Sequence, residues 1–176
     1  SVAAKVAPLA WMDGAGKVSG IASPSLDTSR QAETPRLSPD GNRLALTVAG
    51  DLFVQDLPRG TATRLTFDAA LNRHPAWTPD GQHIVYSSDA LASDGEFSIW
   101  WTRSDGSSRP EKLFGEKTPL QAFSISPDVR TVAFLRTSKD RPFEIWTLPL
   151  DLNDPDHPKP GKPEPIADES FSQVDP

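Results

Sequence analysis

The 176 residues include 18 prolines, 11 glycines and no cysteine, and carry a net charge of −6 with an isoelectric point near 5.0. That balance excludes the basic face needed by a nucleic-acid or anionic-membrane partner. The lack of cysteine excludes disulfides and thiolate metal sites and leaves the redox compartment open. No apolar run reaches bilayer length, Ser1-Val-Ala-Ala-Lys5 lacks the pattern of a signal peptide, and no ten-residue window keeps a helical period free of Pro and Gly. An all-β chain with no membrane insertion is expected.

In chain order, residues 1–33 read as a hairpin and a linker. Pro8-Leu-Ala-Trp-Met12 and Lys17-Val-Ser-Gly-Ile21 flank Asp13-Gly-Ala-Gly16, whose Asp-Gly pair is a hairpin turn signal. The polar stretch 23–33 leads onward. Thr34-Pro-Arg-Leu-Ser-Pro-Asp-Gly-Asn-Arg-Leu-Ala-Leu46 then opens a unit at 34–66. Within it, Pro presets φ for the first central position of a tight turn, Asp bonds its own backbone, and Gly accepts φ > 0. Ser-Pro-Asp-Gly is therefore a corner between two strands. The run that follows, Leu44-Ala-Leu-Thr-Val48, is almost continuously apolar, as in a strand covered on both faces.

His74-Pro-Ala-Trp-Thr-Pro-Asp-Gly-Gln-His-Ile-Val-Tyr86 repeats the pattern in a unit at 67–114. Its loop Ser87-Ser-Asp-Ala-Leu-Ala-Ser-Asp-Gly-Glu96 is longer than its counterpart in the first unit, and longer loops on a rigid scaffold are where binding is often placed. Ordinary length variation accounts for it more simply. Gln121-Ala-Phe-Ser-Ile-Ser-Pro-Asp-Val-Arg-Thr-Val-Ala-Phe134 repeats the pattern again in a unit at 115–167. There Val129 replaces the turn glycine, which leaves the turn type open. Asp151-Leu-Asn-Asp-Pro-Asp-His-Pro-Lys-Pro-Gly-Lys-Pro163 is expected to be an extended surface excursion before the last strand of that unit, because so many prolines cannot join a sheet interior. It reads as a spacer, with docking into a partner's groove as the alternative. Residues 168–176 resemble 67–75 and are expected to start the connection to a next unit.

The corner prolines at 39, 79 and 127 are spaced by 40 and 48 residues, the size of a four-stranded propeller blade. The expected fold is an all-β propeller segment with about three complete blades of four antiparallel strands, at 34–66, 67–114 and 115–167, plus a half blade at the start. A closed ring takes at least four blades. Completion by a longer chain or by self-association is therefore expected.

These motifs resemble the WD40-like repeat of the TolB type, PD40, over about 34–167. The later parts of each repeat agree with it: Asp51-Leu-Phe-Val-Gln-Asp56, Phe97-Ser-Ile-Trp-Trp-Thr102 and Phe143-Glu-Ile-Trp-Thr-Leu148 resemble the third strand, and Thr61-Ala-Thr-Arg-Leu-Thr66 and Arg109-Pro-Glu-Lys-Leu-Phe114 the fourth. Such repeats form the propeller of periplasmic TolB and propellers attached to bacterial serine/threonine kinases and prolyl-oligopeptidase-like peptidases. The resemblance, with no catalytic constellation beside it, implies a non-catalytic binding or scaffold module for a protein partner or a ligand. Its alternative is an accessory propeller of a peptidase or kinase whose catalytic domain lies outside this chain. An extracytoplasmic setting is implied likewise.

No catalytic, cofactor or metal residues are assigned. His74 lies at a strand start, His83 beside a corner and His157 in the proline-rich stretch, with no nucleophile elbow nearby. Asp151, Asp154 and Asp156 lack the closing Glu of a calcium loop and read as a solvated acidic loop. Trp77, Trp100, Trp101 and Trp146 fall on strands at repeat-equivalent positions, which favours inter-blade core over a stacking platform. Adjacent Trp100 and Trp101 must point to opposite faces.

Overall fold

A computed structural model describes residues 10–20, 26, 32–90, 97–137 and 143–166. Among them there is no helix, and the all-β expectation holds. Strands β1 (Ala10–Met12) and β2 (Val18–Gly20) form a separate hairpin. Strands β3 (Ala32–Leu37), β4 (Arg43–Val48), β5 (Asp51–Asp56) and β6 (Thr61–Arg64) make one antiparallel sheet in chain order, blade 1. Blade 2 repeats it with β7 (Asn72–Trp77), β8 (His83–Ser88), β9 (Ser98–Arg103) and β10 (Glu111–Phe114). Blade 3 consists of β11 (Leu120–Ile125), β12 (Thr131–Arg136) and β13 (Glu144–Asp151), edged by the short strands β14 (Lys159–Pro160) and β15 (Glu164–Pro165).

The corners behave alike in all three blades. Gly41, Gly81 and Val129 donate their N–H to the carbonyls of Ser38, Thr78 and Ser126 at 2.8–2.9 Å. Each hydroxyl donates to the Asp two residues on, Ser38 to Asp40 at 2.5 Å and Thr78 to Asp80 at 2.6 Å. Asp128 receives Ser126 in the same way. The question left open at Val129 is thereby answered. It keeps the turn and its left-handed backbone, with φ +62 beside +72 at Gly41 and +68 at Gly81. A β-branched residue in that region carries strain that Gly avoids.

These hydrogen bonds also set the charge of the corners. The Ser38 hydroxyl and the Asn42 N–H hold the Asp40 carboxyl below its ordinary range, and Ser126 with the Arg130 N–H does the same for Asp128. At Asp80 burial pushes upward, and the bonds from Thr78 and Gln82 outweigh it. All three carboxylates stay ionised and keep accepting.

The core lies between blades. Ala45, Leu52, Val54 and Leu65 of blade 1 pack on Ile84, Tyr86 and Trp100 of blade 2. Val85, Ile99, Trp101 and Leu113 on the other face of blade 2 pack on Leu120, Val132, Phe134 and Leu148 of blade 3. This is why β4, β8 and β12 lack polar alternation: successive residues enter different seams. Trp100 and Trp101 divide between the two seams as the strand period requires. Burial there drives the Tyr86 phenol far above its ordinary range. Polar pins cross the seams as well. The Thr47 hydroxyl donates to the Asn72 carbonyl at 2.7 Å, the Ala122 N–H donates to Ser87 Oγ at 2.8 Å, and Arg43 donates to Gly81 O at 2.7 Å and to Ser104 Oγ at 2.9 Å.

The expected hairpin near the start is present, with Gly16, at φ +81, supplying the left-handed position. Asp13 Oδ1 accepts from the N–H groups of Ala15 and Lys17, both at 2.9 Å. All of residues 10–20 are exposed, and the hairpin packs against none of the other strands. The 91–96 part of the long loop and the connection at 168–176 lie outside the described residues.

The proline-rich stretch runs over the surface, mostly exposed, and is tied down at several points. Pro160 pairs with Leu150 and Pro165 with Trp146, both on the outer edge of β13, where an edge strand tolerates residues without an N–H. Between β13 and β14 the loop crosses onto blade 2. There Asp156 Oδ1 accepts from Arg103 Nη1 at 2.7 Å and lies 2.8 Å from His83 Nε2. His157 Nδ1 lies 2.6 Å from Glu111 Oε1, and Pro158 is buried.

Candidate functional site: the axial cleft

The first strand of each blade is innermost, and β7 lies against both β3 and β11. Each of the three carries a bulge, after Glu33 in β3, after Arg73 in β7 and after Ala122 in β11. Pro35 and Pro75 sit in two of these bulges, where no ladder N–H is required, and the residue before each takes a left-handed backbone, φ +47 at Thr34 and +54 at His74. Phe123 occupies the bulge of β11.

Beyond the bulges the three strands frame an open cleft of about 270 Å³. Blade 1 contributes Arg36, Leu37 and Pro39, blade 2 Ala76 and Trp77, and blade 3 Phe123, Ser124 and Ile125. Leu37, Trp77 and Ile125 occupy the same repeat position, so the site is a product of the repeat itself. Trp77 is fixed by its indole N–H, which donates to the Arg36 carbonyl at 2.9 Å, and by the Arg43 guanidinium 4.8 Å from its ring centroid. Phe123, 58% exposed, and Leu37, 45% exposed, line the cleft uncovered. The Arg36 guanidinium donates to the neighbouring Pro35 carbonyl.

The histidines stand apart from one another. His74 lies on β7 with Nδ1 buried and unpartnered, and burial followed by the charges of Arg73 and Arg36 lowers its pKa, favouring the neutral imidazole. His83 is stacked on Trp101 at 4.8 Å and faces Asp156. Its carboxylate partner, 73 residues away in sequence, gave no local signal. No group of three or more His, Asp or Glu side chains able to hold a metal occurs among the described residues. Asp151, Asp154 and Asp156 are separately engaged: Asp151 with Asn153, Asp154 with the Asp156 N–H, and Asp156 with His83 and Arg103. Trp77 and Trp146 are half-buried against the two cores, and Trp77 also walls the cleft, a role its sequence position did not reveal.

The family model of the TolB β-propeller domain, PD40, matches residues 18–156. The chain belongs to the PD40 family. A solved structure of a putative TolB from Agrobacterium tumefaciens is similar at a TM-score of 0.62 and 21% identity, over 82% of this chain and 49% of that one. An uncharacterized protein of Agrobacterium fabrum is 36% identical over 125 residues, 66% of this chain and 38% of the relative. Similarity extends, at a TM-score of 0.55 and 16% identity, to a structure from a study of two prolyl endopeptidases, over 84% of this chain and 24% of that one. This PD40 chain thus spans less than half the length of the relatives it matches.

Proposed function

We propose that this PD40 segment is a non-catalytic binding module whose axial cleft receives a protein partner. The partner would bring an apolar side chain for Phe123 and Leu37 and a carboxylate for Arg36. The observation that carries this reading is the pair of large apolar side chains left uncovered where three inner strands converge. Monomeric surfaces scatter such residues singly, and grouping them in a concave site framed by polar groups is what recognition requires. The orienting groups are backbone-held: Trp77 and the bulges fix the walls before any partner arrives, which lowers the ordering cost of binding.

The test is selection of a displayed random-peptide library on the purified chain, repeated on Phe123→Asp. Both residues at that position are solvent-exposed in a folded blade, so the variant keeps its far-UV circular dichroism. Enriched apolar-acidic sequences that lose at least about tenfold in affinity on the variant, equivalent to 1.4 kcal/mol, agree with the proposal. Peptides that bind both proteins equally contradict it. The likeness to a prolyl endopeptidase structure favours a second reading, an accessory propeller in a larger enzyme. The flanking coding sequence decides that: absence of a hydrolase or kinase domain removes it.

A further inference from the structure

We propose that the Asp13–Gly14 pair is a site of self-modification, where the chain closes a succinimide and reopens it as isoaspartate, while the other described Asp-Gly pairs are protected by their own turns. An aspartate can do this unaided, because its side-chain carbon and the next amide nitrogen close a five-membered ring, and a following glycine puts no side chain in the way. Four such pairs fall among the described residues, at 13–14, 40–41, 80–81 and 105–106. A base must reach the glycine N–H before the nitrogen can attack. Gly41 gives that hydrogen to Ser38 O at 2.9 Å, Gly81 to Thr78 O at 2.8 Å and Gly106 to Arg103 O at 3.3 Å. The Gly14 N–H has no partner among the described residues and stands exposed at the head of the β1–β2 hairpin.

The carboxyl groups add to the difference. Ring closure expels one carboxyl oxygen as water, which takes the protonated form. The Ser38 hydroxyl at Asp40 and the Ser107 hydroxyl at Asp105 hold those groups below their ordinary range, and at Asp80 the Thr78 hydroxyl does so against burial. At Asp13, Oδ1 accepts from the N–H groups of Ala15 and Lys17, both at 2.9 Å, and these donors meet the oxyanion that forms when the Gly14 nitrogen adds to the side-chain carbon. The nitrogen gives its proton to a base in the solvent and bonds to that carbon; a carbon–oxygen bond of the carboxyl breaks and water leaves. Water then returns. At the side-chain carbonyl it restores Asp13, and at the backbone carbonyl it breaks the original peptide bond, so that the chain runs on through the side-chain carbon. One water is lost and one regained, with no change in oxidation state. The product carries one extra backbone carbon in a turn that Asp13 N to Lys17 O at 3.1 Å and Gly16 N to Asp13 O at 3.0 Å now close, so the pairing of Met12 with Val18 loses its register.

The experiment incubates the whole folded chain in neutral buffer made with heavy-oxygen water and maps its peptides by chromatography and mass spectrometry. Each passage through the imide leaves one heavy oxygen at that aspartate, and isoaspartate separates from aspartate at equal mass. Asp13 should label about tenfold faster than Asp40, Asp80 or Asp105, each of which must first open a hydrogen bond worth about that factor, and isoaspartate should accumulate at residue 13. In concentrated urea the four pairs should label at comparable rates, which assigns the difference to the fold and not to the neighbouring residues. Gly14→Ala should remove the excess at Asp13 with unchanged circular dichroism, because its Cβ shields the nitrogen and meets nothing within 4 Å. The proposal is overturned if Asp13 labels no faster than the other three in the folded chain, or if its lead persists undiminished in urea.

Discussion

Gly41 and Gly81 occupy the same corner position with nearly the same φ, +72 and +68, yet an alanine should cost very different amounts at the two. A left-handed L-residue costs about 1–2 kcal/mol, and the stiffer unfolded chain returns about 0.4–1 kcal/mol. Gly41→Ala should therefore destabilise by about 1 kcal/mol, since a Cβ there meets nothing within 4 Å. At Gly81 the added Cβ would lie 2.7 Å from Arg43 Nη2. The guanidinium must retreat from the Gly81 carbonyl and Ser104 Oγ, and one hydrogen bond from a charged donor is worth about 1.5–3 kcal/mol. Gly81→Ala should then cost about 2–4 kcal/mol in total. Urea unfolding followed by circular dichroism reads both, provided the slope with denaturant is unchanged. The same pair of substitutions in an Arg43→Ala background forms a double-mutant cycle, in which the difference should vanish. Equal costs in the parent, or a difference that survives without Arg43, would refute the reasoning.

Three further outcomes are expected. Asp156→Asn should lower the urea midpoint at neutral pH. His83 and then Arg103 hold the native Asp156 carboxyl below its ordinary 3.8, so its contribution is present above that value and fades as pH falls through the lower native one; a midpoint gap unchanged in acid contradicts the assignment. Ile99→Ala should cost about 2–5 kcal/mol as a seam cavity, against about 1 kcal/mol or less for exposed Phe67→Ala, which loses a contact 5.0 Å from Arg64. Val129→Asn should stabilise by up to about 1 kcal/mol, because Asn tolerates φ > 0 and the relief of strain exceeds the packing given up; a lower midpoint would count against strain at that corner.

Local chemistry was legible in the sequence, and contacts between blades were not. Ser38-Pro39-Asp40-Gly41 specifies its own turn within four residues, so the corners and the strands they join could be read directly. Trp100 and Trp101 follow from the two-residue period once both faces of a blade are covered. Val129 left its turn open because propensity argues against a left-handed valine, whereas the hydrogen bonds of Ser126 and Asp128 impose it. The proline-rich stretch was read from composition as an extended surface excursion, without the contacts that anchor it. Its real determinants are Asp156 meeting His83 and Arg103, and Pro160 and Pro165 lying along β13, none of them visible at short range. The axial cleft escaped for the same reason: Leu37, Trp77 and Phe123 converge only when three repeats stand side by side.

The division of Trp100 and Trp101 between the two seams gives this protein a pair of built-in optical probes one residue apart. Emission from the first indole reports water reaching the junction of blades 1 and 2, and emission from the second the junction of blades 2 and 3. With Trp11, Trp77 and Trp146 replaced by Phe, and Trp100 and Trp101 then replaced in turn, stopped-flow traces would reveal whether the stack comes apart from one end or all at once.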